Sequence, residues 1–103
     1  MVRSLRIGHR RFVLGRGINT IGRDPASTVC INDASVSRHH ARITVDGNAV
    51  VLEDLQSKNG TQVMGKMTVG ATPLNDGDEI EFGHVKGWYI AEVADDPPTT
   101  MQL

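Results

Sequence analysis

Three short segments carry most of the side chains that could bind an anion. The first is Gly22-Arg23, followed by Asp24-Pro25. Gly22 permits a tight backbone turn, Pro25 stops any continuing strand, and Arg23 offers a planar fork of donors suited to phosphate. The second is Ser35-Val36-Ser37-Arg38-His39-His40. A serine hydroxyl beside an arginine, on a loop with accessible backbone N–H groups, makes a compact anion site. Ser37 can donate a hydrogen bond and Arg38 adds a second positive charge. His40 begins the next strand, so its imidazole is expected to tie loops together. The third is Ser57-Lys58-Asn59-Gly60-Thr61. Asn59-Gly60 signals a tight turn, the Asn59 amide can match an N–H and a C=O of a peptide, and Lys58 adds a flexible charge at the rim.

Other chemistries fit these residues less well. Gly60 to Lys66 follows a nucleotide-binding loop for seven positions, but Met67 stands where a magnesium-binding hydroxyl is needed. Ser37, His40 and Asp54 lack the strand-turn-helix that exposes a nucleophile, so no catalytic residue is expected. His39 and His40 are adjacent and would face opposite sides of a strand, while His9 and His84 lie far off in sequence. No metal site and no cofactor are expected, and Asp76-Gly77-Asp78-Glu79 reads as a solvated turn. Asn59-Gly60-Thr61 matches a glycosylation sequon without a secretory signal beside it.

The elements that must position these loops are strands. The 103 residues suit one domain with one core, and 39% apolar residues with four aromatics point to a core of Val, Ile and Leu. No window shows sustained helical periodicity. Short β-prone runs are expected at 4–7, 11–14, 19–22, 29–31, 41–46, 49–55, 62–63, 67–69, 79–82 and 87–93. The alternation of Ala41, Ile43 and Val45 with Arg42, Thr44 and Asp46 gives one buried face, and Asp46-Gly47-Asn48 is a hairpin turn. About ten strands without helices imply an all-β two-sheet sandwich or a barrel. Residues 73–78 read as an exposed turn. Cys30, the only cysteine, reads as a small core residue. Residues 1–93 form the expected domain, and 94–103, an acidic segment rich in Pro and Thr, a flexible tail.

Taken in order, Gly22-Arg23, then Ser37-Arg38-His39-His40, then Asp54-Leu55-Gln56-Ser57-Lys58-Asn59-Gly60-Thr61 resembles the forkhead-associated (FHA) domain family. The resemblance runs from about Ile18 to Val93. It implies an eleven-stranded sandwich with binding loops at one end, recognising phosphothreonine in preference to phosphoserine. By matching position it implies that Arg23, Ser37 and Arg38 hold the phosphate. Asn59 would hold the ligand backbone, with Lys58 and Ser35 at positions that contact phosphate or neighbouring ligand residues. Gly22, His40 and Gly60 would shape the loops. Val63 departs from the family pattern, in which many members carry Asn.

The net charge of −1, spread along the chain, excludes nucleic-acid binding by bulk charge, so anion recognition must be local. No apolar run reaches membrane-span length, and a cytoplasmic location is the default expectation. The expected function is therefore a non-enzymatic module that docks phosphothreonine proteins in a Ser/Thr kinase pathway. The alternative is a phosphate-independent interaction or dimerisation domain. Three or four hydrogen bonds to a charged group, less peptide ordering, suggest roughly micromolar affinity. Thr99 and Thr100 invite a further expectation: a phosphorylated tail could occupy the site of its own or a neighbouring copy.

Overall fold

The computed structural model describes residues 1–93; the 94–103 segment, with the expectations attached to it and to Thr99 and Thr100, lies outside the described residues. Eleven strands follow in chain order: β1 (Val2–Ile7), β2 (Arg10–Leu14), β3 (Gly17–Gly22), β4 (Val29–Cys30), β5 (Ala41–Asp46), β6 (Ala49–Asp54), β7 (Thr61–Val63), β8 (Lys66–Met67), β9 (Thr72–Pro73), β10 (Glu79–Phe82) and β11 (Val85–Glu92). They form two sheets, ordered β2-β1-β11-β10-β7-β8 and β4-β3-β5-β6-β9. The β3–β4 pair is parallel and the other paired strands are antiparallel. Of the sandwich and the barrel that the strand pattern left open, the observed fold is the eleven-stranded sandwich implied by the family resemblance.

Period-two alternation builds the core. In β5, Ala41, Ile43 and Val45 are buried while Asp46 is exposed. In β10, Ile80 and Phe82 point inward, and in β11 Tyr89 does so while Trp88 faces out. Leu5, Ile21, Ile43, Leu52, Ile80 and Phe82 have no exposed surface. Each such burial contributes about 1.5–3 kcal/mol before the entropic cost of ordering the chain. No helix among the described residues is long and apolar enough to cross a membrane.

Several local expectations change. The run 73–78 is not simply an exposed turn: Pro73 ends the edge strand β9, and Leu74 is buried, its N–H donating to the Val50 carbonyl at 2.8 Å. A two-residue strand is too short for alternation to reveal. Cys30 is half-buried rather than a core residue, because β4 is a two-residue edge strand in which Val29 takes the inward position. His40 is buried but precedes β5 instead of opening it. Strand ends elsewhere move by one or two residues. Val63, the departure from the family pattern, ends β7 opposite Ile80 and packs half-buried on the core. Met64 and Gly65 follow with φ of 52° and 81°, the paired left-handed residues of a tight hairpin turn.

The registers define two poles. At one, β3 ends at Gly22, β5 starts at Ala41, β6 ends at Asp54, β7 starts at Thr61 and β10 ends at Phe82. At the other lie Val2, Gly17, Glu92 and the Asp46–Ala49 hairpin.

Candidate functional site

All three polar segments lie at the first pole. Gly22 closes β3 against the loop that precedes β5. A Cβ built on Gly22 would run into the Arg38 carbonyl group and approach the Ser37 carbonyl oxygen to 3.1 Å, so only glycine lets the two backbones meet. The contact is sealed by backbone hydrogen bonds: Arg23 N–H donates to Ser37 O at 3.0 Å and Asp24 N–H to Arg38 O at 3.2 Å. Arg23 is exposed, and its Nε donates to the Val36 carbonyl at 3.0 Å. One edge of the guanidinium is thereby anchored to the loop.

His40 is fully buried at the centre of this pole. The Ser37 N–H donates to its Nδ1 at 3.0 Å, so that nitrogen carries no proton. Nε2 must then be the protonated nitrogen, and it donates to the Gly60 carbonyl at 2.9 Å. The same Gly60 oxygen accepts the Gly83 N–H at 3.0 Å. Asp54 Oδ1 stands 4.0 Å from His40 Nε2, too far for a hydrogen bond, and the neutral ring makes no ion pair with it. The ring also meets Phe82 edge to face, centroids 5.9 Å apart.

Asp54 organises the third loop instead. Its carboxylate accepts the Ser57 hydroxyl at 2.6 Å, the Thr61 hydroxyl at 2.7 Å and the Ser57 N–H at 3.0 Å. Burial alone would raise the Asp54 pKa, but the hydrogen bonds from Ser57 and Thr61 together outweigh it and hold the carboxyl below its usual value. The Ser57 hydroxyl accepts the Gly60 N–H at 2.9 Å, closing the turn. Gln56 adopts a left-handed φ of 58° just before it, curling the chain back toward Asp54.

The loops are then tied to each other. Lys58 N–H donates to Ser37 Oγ at 2.9 Å, which leaves the Ser37 hydroxyl proton free to donate outward. Asn59 Nδ2 donates to the Ser35 carbonyl at 2.8 Å. One Asn59 donor is therefore spent inside the protein, leaving one N–H and the amide oxygen, the pair needed to match a C=O and an N–H of a peptide. Ser35 Oγ donates to Asp33 Oδ1 at 2.7 Å and accepts the His84 N–H at 2.9 Å. The hydrogen bonds from the Ser35 hydroxyl and N–H hold the Asp33 carboxyl below its usual range. Gly83 sits so close to Ser35 that any Cβ would strike its carbonyl oxygen.

Arg23, Arg38 and Lys58 are exposed, and none forms an ion pair among the described residues. Each lies within one hydrogen bond or one peptide bond of Ser37. The result is an open, cationic, donor-rich patch on a cross-linked base, able to accept a doubly charged anion. No group of three His, Cys, Asp or Glu among the described residues is placed to hold a metal.

Two parts of the site are not among the residues singled out from the sequence: the Gly83-His84 turn and the structural part of Asp54. A carboxylate followed at three and seven residues by hydroxyls, Asp54, Ser57 and Thr61, was the available signal for the second. Nothing local marks the first, because its partner Ser35 lies 49 residues away from His84.

Comparison with known proteins accords with this geometry. The glycogen accumulation regulator GarA of Mycobacterium tuberculosis is 37% identical over 73 residues, covering 71% of this chain and 44% of that protein. The chain thus spans less than half the length of that relative. A solved FHA domain studied for phosphothreonine-dependent interactions superposes with a TM-score of 0.85 at 33% identity, covering 91% of this chain and 100% of its own. EmbR of Mycobacterium tuberculosis, solved with a low-affinity phosphopeptide, gives 0.85 at 31% identity over 91% of this chain and 25% of EmbR. The FHA domain family model matches residues 19–83. With more than half of its length matched and the same two-sheet architecture, the chain belongs to the FHA domain family.

Proposed function

We propose that the chain is a phosphothreonine-peptide-binding module that docks phosphorylated partners in a Ser/Thr kinase pathway, without catalysis of its own. In this reading Arg23, Ser37 and Arg38 hold the phosphate. Lys58 and Ser35 flank it, Asn59 engages the ligand backbone through its remaining amide groups, and Gly22, His40 and Gly60 form the scaffold. The observation that carries the reading is that three exposed cations, with no ion pair among the described residues, belong to residues bonded through their backbones to a serine whose hydroxyl proton is free. A phosphothreonine brings about −1.5 to −2 charges and three acceptor oxygens, so it exploits such a patch better than an acidic side chain does. Family membership and the two phosphopeptide-related structures support the same reading.

The test is calorimetry with matched phosphothreonine, phosphoserine and unphosphorylated peptides. Phosphothreonine is expected to bind at roughly micromolar affinity and the unphosphorylated peptide not at all. Arg23→Ala and Ser37→Ala should each weaken binding by about 100-fold or more while the fold persists. Equal binding of phosphorylated and unphosphorylated peptides would instead establish a phosphate-independent interaction domain. Self-association through phosphorylated Thr99 or Thr100 is tested by the oligomeric state of the phosphorylated chain against Thr99→Ala/Thr100→Ala. No difference ends that idea. A cytoplasmic site of action is part of the same proposal.

A further inference from the structure

At the pole opposite the loops, the two sheets leave a cavity of about 280 Å3 lined by Met1, Arg3, Leu14, Arg16, Val45 and Gly47. Arg3 lies two residues from the fully buried Leu5 on the inward face of β1, where a strand pattern calls for an apolar residue. Its Nη2 donates to the Gly47 carbonyl at 3.0 Å, bridging from one sheet to the hairpin of the other. Its Nε is shut off from solvent and has no acceptor among the described residues. Arg16 is exposed on the connection between β2 and β3. The ion pairs among the described residues involve Arg11, His39, Arg42 and Lys86, and neither Arg3 nor Arg16. Arg3 and Arg16 therefore line one recess that has no carboxylate among its lining residues, beside buried Leu14 and Val45.

We propose that this cavity is a second anion site, taking a carboxylate on a short aliphatic stem. Arginine forks match a carboxylate's two oxygens, and a partly desolvated guanidinium with an unsatisfied N–H gains most from an anionic partner. The Leu14 and Val45 walls suit a few methylenes. The volume lies just under the roughly 300–1,000 Å3 typical of drug-sized ligands, so the ligand is small. The site stands independently of the phosphate loops, which lie at the other pole. The carboxylate has two sources: a free organic acid, or Asp95-Asp96 of this chain, which follow β11 in sequence where that strand ends at this pole.

The experiment titrates butyrate into the 15N-labelled full chain and follows the amides of Val45, Gly47 and Arg16, with Ser37 and Lys58 as controls. Saturable shifts at the first three, unmoved controls, and at least tenfold weaker binding in Arg16→Gln are expected. Arg16 is exposed, so that variant keeps the fold. The titration is repeated on Asp95→Asn/Asp96→Asn. Saturation there alone would mean that the chain's own carboxylate fills the site in the wild type, and would support the proposal with an internal source. Absence of saturation in both proteins, or equal saturation in Arg16→Gln, overturns it.

Discussion

The two poles of the sandwich are closed by different means. At the far pole the β5–β6 hairpin turns on Gly47, at a φ of 61° with open space around it, and Arg3 donates across to the Gly47 carbonyl. The Asn19 and Asp76 side chains there bond backbone groups of Gly15, Ile43 and Ala91, but no glycine there is pressed against another backbone as Gly22 and Gly83 are. At the loop pole, side chains of Ser35, Ser37, His40, Asp54 and Ser57 bond to backbone groups of their own and neighbouring loops, and the backbones approach too closely at Gly22 and Gly83 to admit a Cβ. A tight turn holds its shape through local dihedral preference alone. Long loops hold theirs only when buried polar groups bind them, and that rigidity spares a binding site the cost of ordering itself around a ligand.

The sharpest way to break this contrast is to remove its central side chain. His40→Ala deletes a fully buried ring and strands the Ser37 N–H, and should cost about 3–4 kcal/mol. Urea unfolding measures the loss, and a cost below about 1 kcal/mol would show that the loops do not depend on it.

Asp54 comes next. Its folded pKa lies below the ordinary value of 3.8, so the unfolded chain takes up the proton first as pH falls. Its contribution is therefore fully present above about pH 4 and lost as the pH drops through the folded value. Asp54→Asn should lower neutral-pH stability by about 1–2 kcal/mol and flatten the acid limb of a stability-versus-pH curve. An unchanged acid limb would contradict the hydrogen-bond account.

The smallest effect is expected at the other pole. Gly47→Ala meets no neighbouring atom but must adopt a positive φ, at a cost of about 1 kcal/mol. Gly22→Ala, by contrast, should disrupt the loop pole as well as lower stability, because its Cβ has nowhere to go. Loss of loop-pole amide shifts in Gly22→Ala, beside an intact spectrum in Gly47→Ala, would sharpen the difference between the poles.

Much of the fold was legible in the chain. Alternation in β5 and β10 marks a buried face over four to six residues, and glycine, asparagine and aspartate mark the turns between. The edge strands β4 and β9 were less legible, since two residues carry no period, and Cys30 and Leu74 were misjudged for that reason. Of the candidate site, the residue types and their order could be read and placed on loops. Their partners could not.

What the chain of residues settles on its own are local matters: which segments extend, which faces are apolar, where the backbone must turn, and which polar side chains stand together in sequence. Tertiary structure decided the rest. It chose the Nδ1-acceptor form of His40, turned one Asn59 donor inward to Ser35, and brought the Gly83-His84 turn beneath the same serine. It also carried Arg3 across to Gly47. The physical reason is that a hydrogen bond's partner depends on which carbonyl or N–H lies within about 3 Å, and packing between distant strands sets that distance.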